Sequence, residues 1–272
     1  DREIDAASAR VAQIAQRVAA GVDLDRVVAL AASAPAWTAA VPPRPAAAPA
    51  DLRIGVARDR AFGFYYPDDL AALEAAGARL VPFDTLRDTA LPAVDALFIG
   101  GGFPEACIAE LEANVALRRA LRAAIADGLP VYAECGGLMY LARSIRWGAR
   151  RGEMVGAIPA DAVMHARPVG RGYVQLEAGS DHPWFDAGTV LRGHEFHHSR
   201  LENVASGLAF AYRVRRGHGV DGAVDGVRIG NLLASYAHLR TGAGSDWAPR
   251  FVDFVRRCHA ARSHGRGLAL AA

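Results

Sequence analysis

The stretch "PVYAECGGLMYLAR", residues 130–143, decides the fold. An apolar run from Pro130 ends at Glu134, Cys135 follows, and Gly136 and Gly137 lead into apolar residues that read as a helix. A strand, sharp turn and helix of this kind lifts one side chain above the edge of a parallel sheet, on a tight and often strained backbone. The glycines keep the turn free of clashes and let a substrate approach. The start of a helix favours an anion, which suits a Cys135 thiolate. The backbone N–H of Gly136 then points to where an oxyanion would form. A buried structural cysteine fits the same residues, so the turn alone leaves both readings open. Cys107 and Cys258 lie inside helical patterns and read as structural.

Outward from this turn, short apolar runs alternate with helical stretches. Upstream come "LRIGVA" (52–57), a helix from about Asp68 to Ala76, "RLVPF" (79–83), "ALFIGG" (96–101) and a helix from Glu105 to Asp127. This order predicts an α/β fold with a mostly parallel sheet flanked by helices. Beyond about Gly152 the pattern turns strand-rich, with "GYVQLEA" (172–178), "TVLRGHEF" (189–196), "LAFAYRV" (208–214) and "GVRIGNLLASY" (226–236), closed by a helix near 246–262. Residues 1–34 read as two helices and 33–50 as a Pro/Ala linker, so the compact domain is expected over 51–262, with a flexible tail at 263–272.

Composition narrows the class. A chain of 272 residues, 52% hydrophobic, buries a substantial core. Net charge is +2 with no basic blocks, which argues against a nucleic-acid partner. The basic residues other than His are all Arg, so the phosphate-gripping Lys of a P-loop is absent from this chain. Three sparse cysteines point to a reducing, cytoplasmic setting. No apolar run reaches the roughly 18 residues needed to span a membrane. The chain starts at Asp1, which reads as the C-terminal piece of something longer or as a processed product.

A thiolate nucleophile needs a base and an oxyanion hole. "FIGGGFPE" (98–105) runs a strand into Gly100, Gly101 and Gly102, whose backbone amides can face the neighbouring strand end where Cys135 sits. "NLLASYAHLR" (231–240) places His238 just past an apolar strand, at the same sheet edge. "GHEFHHS" (193–199) contains the H-E-x-x-H order of zinc proteases, but on a strand His194 and His198 stand about 13 Å apart and cannot share an ion. No metal site is therefore expected. Alternation puts Glu195 and His197 on one strand face, offered to a domain interface or to ligand carboxylates.

"IGGGFPE", "YAECGGLMYL", "GHEFHHSRL" and "ASYAHL", in this order, closely resemble the C-terminal glutamine amidotransferase domain of cobyrinic or hydrogenobyrinic acid a,c-diamide synthases, in the class I, flavodoxin-like amidotransferase superfamily. The resemblance covers about Leu52 to Arg240. It implies that Cys135 attacks the side-chain amide of L-glutamine, that His238 moves the proton, and that the amides of Gly101, Gly102 and Gly136 hold the oxyanion. It further implies transfer of ammonia to an N-terminal synthetase domain, where ATP and Mg2+ activate the a- and c-carboxylates of a corrinoid in cobalamin biosynthesis. Residues 1–50 would be the tail of that domain and its connector, and a homodimer is compatible with this. Most superfamily members carry His-x-Glu, whereas this chain reads His238-Leu239-Arg240, so the resemblance assigns only a dyad. In "AFGFYYPDDL" (61–70), Tyr65 and Tyr66 are candidates for contact with the corrinoid or the synthetase domain, or alternatively for capping the core. The competing readings are a related tetrapyrrole amidase, such as cobyric acid synthase or a nickel-sirohydrochlorin a,c-diamide synthase, a non-catalytic Cys-elbow protein, and the zinc protease.

Overall fold

The computed structural model describes residues 2–36, 49–242 and 245–270, with side chains of residues 2–7 and 262–270 left out of the description. Most of the Pro/Ala linker lies outside the described residues. The chain divides into two compact units, Asp1–Arg44 and Pro45–Ala272. The first holds helices α1 (Arg2–Gly21) and α2 (Leu24–Ala32). The Asp23 carboxylate caps α2 by accepting from the Arg26 N–H at 2.9 Å. Their apolar residues, among them Val11, Ile14, Val28 and Leu30, are exposed.

The second unit contains, in chain order, β1 (Leu52–Ala57), β2 (Phe62–Phe64), α3 (Pro67–Ala75), β3 (Ala78–Phe83), β4 (Ala96–Ile99), β5 (Gly101–Gly102), α4 (Ile108–Ala113), α5 (Val115–Ala126), β6 (Val131–Glu134) and α6 (Gly136–Leu141). There follow β7 (Ala142–Trp147), β8 (Arg150–Glu153), β9 (Ile158–Met164), β10 (Gly170–Ala178), β11 (Val190–His197), β12 (Ser199–Glu202), β13 (Ala209–Arg216), β14 (Val224–Ile229), β15 (Leu232–Ser235), β16 (His238–Leu239) and α7 (Trp247–Leu270). The expected helix over 105–127 is broken at Asn114. That side chain donates to the Thr85 and Asp88 carbonyls, both at 2.9 Å, while its oxygen caps α5. The helix after Cys135 spans only Gly136–Leu141 before β7 begins, and α7 runs past residue 262 to Leu270.

The main sheet has the order β16-β11-β10-β13-β14-β15-β6-β4-β1-β3. It is parallel from β3 to β15 and antiparallel from there to β16. The central strands β4, β6 and β15 are buried along their whole length, as a sheet covered on both faces requires. Alternate residues feed two cores. Leu97, Ile99, Val131 and Ala133 pack with α4, α5 and α6, while Phe98 and Tyr132 pack with Trp247 and Phe251 of α7. A second sheet, β12-β9-β7-β8, closes over the first core.

The link from β15 to β16 fixes how the strand-rich half must curve. Only Tyr236 and Ala237 separate them, so Ser235 and His238 lie within about 11 Å of each other. In a flat sheet the same two strands, five spacings apart in the pairing order, would stand roughly 24 Å apart. The antiparallel half therefore curls back on itself and returns β16 to the carboxyl edge of β6.

Asp225, fully buried, holds that link. Its carboxylate accepts from Ser235 Oγ at 2.7 Å and from the N–H groups of Tyr236 and Ala237 at 3.0 and 3.2 Å. Burial pushes its pKa up, against the pull of these hydrogen bonds. Asp225→Ala leaves these buried donors without partners, and is expected to lower stability by at least about 3 kcal/mol. In a thermal melt this reads as a fall of roughly 6 to 12 °C. A melt unchanged within 2 °C would show that the link is held by other contacts.

Candidate active site

β6 ends at Glu134, and Cys135 takes a positive φ of 47° with ψ −99° before α6 begins. Few non-glycine residues occupy this region, which stores about 1–3 kcal/mol of strain. It persists because the Cys135 N–H donates to the Ser235 carbonyl at 2.7 Å and its carbonyl accepts from Met139 N–H at 3.1 Å. The thiol is thereby placed at the carboxyl edge of the parallel strands, beside the Phe196 carbonyl at 3.9 Å.

The glycine loop lies against this turn. A Cβ built at Gly136 would stand 2.9 Å from the Gly102 nitrogen, and one at Gly101 would stand 2.6 Å from Cε1 of His238. Gly101, Gly102 and Gly136 are thus brought together around Cys135 and His238, at separations that only glycine permits. Gly100 is different, because its N–H already donates to the Tyr65 hydroxyl at 3.0 Å. It is a support of the loop and not an oxyanion donor.

The Tyr65 hydroxyl donates in turn to the Ala57 carbonyl, and its ring packs edge-on against Phe98 at 5.1 Å. Burial raises its pKa. Tyr65 is half-buried, and through these contacts it braces β1 against the glycine loop. Tyr66 is accessible. It lines a cavity of about 1070 Å³ together with Tyr173, Arg192, His194, His238 and Arg240. The Arg240 guanidinium lies over its ring at 5.4 Å.

Glu195 and His197 require correction. The alternation along β11 is as expected, but the polar pair faces inward, with Glu195 and His197 only 1% and 3% exposed. The face turned outward carries Phe196. The strand conformation of residues 190–197 also removes the helical spacing that a zinc protease needs. Among the described residues no group of three or more His, Cys, Asp or Glu side chains is arranged to hold a metal ion.

His238 arrives from the far end of the curled sheet and pairs in register with His194. The Phe64 ring packs edge-on against it at 4.9 Å. Its Nδ1 lies 3.1 Å from Glu134 Oε2. Glu134 is 3% exposed, and its Oε1 accepts from the Tyr132 hydroxyl at 2.7 Å and from the Leu239 N–H at 3.1 Å. With Nδ1 turned to the carboxylate, Nε2 is left for the thiol. Burial pulls the imidazole pKa down, but hydrogen bonds to Cys135 and Glu134 outweigh it and raise the value to about 10. The arrangement is an acid, an imidazole held toward its protonated form and a sulfur nucleophile in sequence.

The acid missing from the His-x-Glu position is thus supplied by the residue just before the nucleophile. The one signal for Glu134 in the sequence is its charge at the end of a strand otherwise apolar. Such a constellation can attack an acyl carbon, hold the resulting oxyanion and protonate a leaving amine.

Comparison with known proteins points the same way. Residues 53–245 match the CobB/CobQ-like glutamine amidotransferase domain. The chain is 43% identical over 241 residues to a protein of Magnetococcus marinus named cobyrinate a,c-diamide synthase, covering 86% of this chain and 52% of that one. A Methanothermobacter thermautotrophicus protein of the same name is 46% identical over 201 residues, 74% of this chain and 44% of that one. The chain therefore spans about half the length of these relatives. Among solved structures, PurLQS from Thermotoga maritima is similar with TM-score 0.58 at 16% identity, over 76% of this chain and 98% of that one. The crystal structure of a glutamine amidotransferase is similar with TM-score 0.52 at 20% identity, over 74% of this chain and 98% of that one. At these identities the structural likeness speaks for the fold alone.

Proposed function

Because this chain belongs to the CobB/CobQ-like glutamine amidotransferase family, we propose that it is the glutaminase part of an ATP-dependent ligase that amidates the a- and c-carboxylates of cobyrinate. The observation that carries this reading is the strained Cys135 beside a His238 whose Nδ1 is held by Glu134.

In the proposed reaction the Cys135 sulfur attacks the carboxamide carbon of glutamine, and the carbonyl electron pair moves to oxygen. The N–H groups of Gly102 and Gly136 receive that oxyanion, each such donor lowering the barrier by about 3 kcal/mol. The tetrahedral adduct collapses to a γ-glutamyl thioester as the C–N bond breaks, and His238 gives its proton to the departing nitrogen. The imidazole, now neutral, takes a proton from the water that attacks the thioester. Glutamate leaves and the thiolate–imidazolium pair is restored. Glu134 keeps Nε2 pointed at sulfur throughout and stabilises the imidazolium.

The relatives' name supports a cobyrinate carboxylate as the acceptor, and their greater length leaves room for a synthetase part that would bind ATP and Mg2+. Ammonia released here would be consumed there. The exposed apolar residues of α1 and α2 support their reading as the end of that preceding part. Three cysteines without a disulfide suit a cytoplasmic setting. The decisive measurement is glutamate release from glutamine together with labelling by the glutamine analogue 6-diazo-5-oxonorleucine. One equivalent is expected on Cys135. Labelling elsewhere, or none alongside an intact fold, would remove the reading.

A further inference from the structure

Under the active site lies a buried polar cluster that the reaction above does not use. The Glu195 carboxylate accepts from the N–H groups of His218 at 2.7 Å and Gly219 at 2.9 Å, two successive amides of the turn after β13. His197 Nδ1 donates to the Ser199 carbonyl at 2.8 Å, and its Nε2 stands 3.6 Å from Glu195 Oε2. The imidazole stacks on Tyr236, with centroids 3.9 Å apart and planes 11° from parallel. The Tyr236 hydroxyl shares a 2.9 Å hydrogen bond with Ser199 Oγ. Even the space is reserved: a Cβ at Gly170 would stand 2.2 Å from His197 Nε2 and 2.8 Å from the Glu195 carboxyl carbon.

Desolvating a carboxylate and an imidazole is expensive, and an apolar pair would fill this space without that penalty. What the pair does is geometric. The residue between its members is Phe196, whose side chain points out and whose carbonyl faces the Cys135 sulfur at 3.9 Å. Anchoring Glu195 to one turn and His197 to Ser199 and Tyr236 fixes the rotation of the peptide between them. A fixed carbonyl beside a nucleophile is an acceptor. It favours a ligand that presents an N–H at that point over one that presents a carboxylate, whose oxygens it repels.

We propose that Glu195 and His197 are positioning residues that hold the Phe196 carbonyl beside Cys135, where it accepts an N–H of the bound substrate. That the substrate is glutamine rests on the glutaminase reading; the positioning itself does not. The test therefore has two arms on this chain, with Glu195→Gln and His197→Phe, the second keeping a ring against Tyr236.

The first arm needs no turnover. Cys135 is alkylated by iodoacetamide, which carries N–H groups, and by iodoacetate, which carries a carboxylate; each forms an S–CH2 bond with loss of iodide, followed by mass spectrometry at Cys135. The ratio of the two rates is expected to fall at least about fivefold in both variants. In the second arm, with active sites counted by 6-diazo-5-oxonorleucine, KM for glutamine is expected to rise about tenfold with kcat within twofold, the loss of about one hydrogen bond to a charged or polar group. A lower melting temperature with unchanged ratio and unchanged KM would make the pair merely structural and overturn the proposal. A lower kcat with unchanged KM would place its action on His238 and overturn it too. If the native chain releases no glutamate, the functional reading falls, and the alkylation ratio still decides the positioning.

Discussion

Cys135→Ser is expected to reduce glutamate release from glutamine by about a thousandfold or more, and His238→Ala by a similar factor. The two residues act as one unit, so the double variant should be little worse than either single one. The reason is chemical. A serine hydroxyl ionises far less readily than a thiol, and the pairing with the Cys135 sulfur that helps raise the His238 pKa is lost with the thiol, so the variant has no preformed nucleophile–imidazolium pair. The substitution replaces one atom and leaves the backbone contacts of the turn, to Ser235 and Met139, in place. The melting temperature should therefore stay within a few degrees. In a full-length protein of the proposed kind the same variant is expected to keep making amide from added free ammonia, because only the supply of nitrogen is cut. Glutamate release at the native rate in either variant would remove the assignment of Cys135 and His238. Failure of ammonia to rescue the full-length Cys135→Ser variant would remove the division of labour between the two halves.

Glu134→Gln is expected to lower kcat by roughly 10²- to 10⁴-fold with a smaller effect on KM, the range seen when the acid behind a catalytic imidazole is neutralised. With its oxygen kept toward Tyr132 and Leu239 the amide still accepts from both, but it then offers its NH2 to His238 Nδ1 and so favours the wrong tautomer. A pH profile separates this from a loss of fold. The folded-state pKa of His238 is raised above that of the unfolded chain, so its pairing stabilises the protein fully below about pH 6.5, and that contribution fades as pH rises through about 10. Without the carboxylate one of the two hydrogen bonds that raise the pKa is gone, and burial, which lowers it, remains. The imidazolium of the variant should lose its proton at a clearly lower pH, visible in the pH dependence of Cys135 alkylation. An unshifted profile with an unchanged kcat would reduce Glu134 to a structural acceptor for Tyr132 and Leu239.

Much of this site was legible in the sequence, and what was not has a common cause. The Cys135 turn, the glycine loop and the strand-end histidine each have a local signature, because strand, turn and helix propensities act over a few residues. Glu134 has none. Its partner lies 104 residues away and reaches it only through the curl of the antiparallel half. The same holds for Asp225, which reads as an ordinary turn acid until the link it anchors is seen. For Glu195 and His197 the alternation gave the faces but not their direction. Polarity argued for outward, whereas the waiting amides of His218 and Gly219 turned the pair in. For Tyr65 both readings stayed open for a related reason, since an aromatic after a strand reads alike whether its hydroxyl meets a partner or a backbone loop. Helix 105–127 failed at Asn114, where tertiary hydrogen bonds to Thr85 and Asp88 override propensity.

The return of β16 to the edge of β6 also sets a clock on the ribosome. Glu134 is made 104 residues before His238, a delay of roughly 5 to 20 s at ordinary rates of chain elongation. During that interval the emerging chain carries its nucleophile and its acid but no base. Glutamine met at this stage would not be consumed by half-made enzyme. Hydrolysis would begin only once β16 has been translated, has left the exit tunnel and has docked on β11.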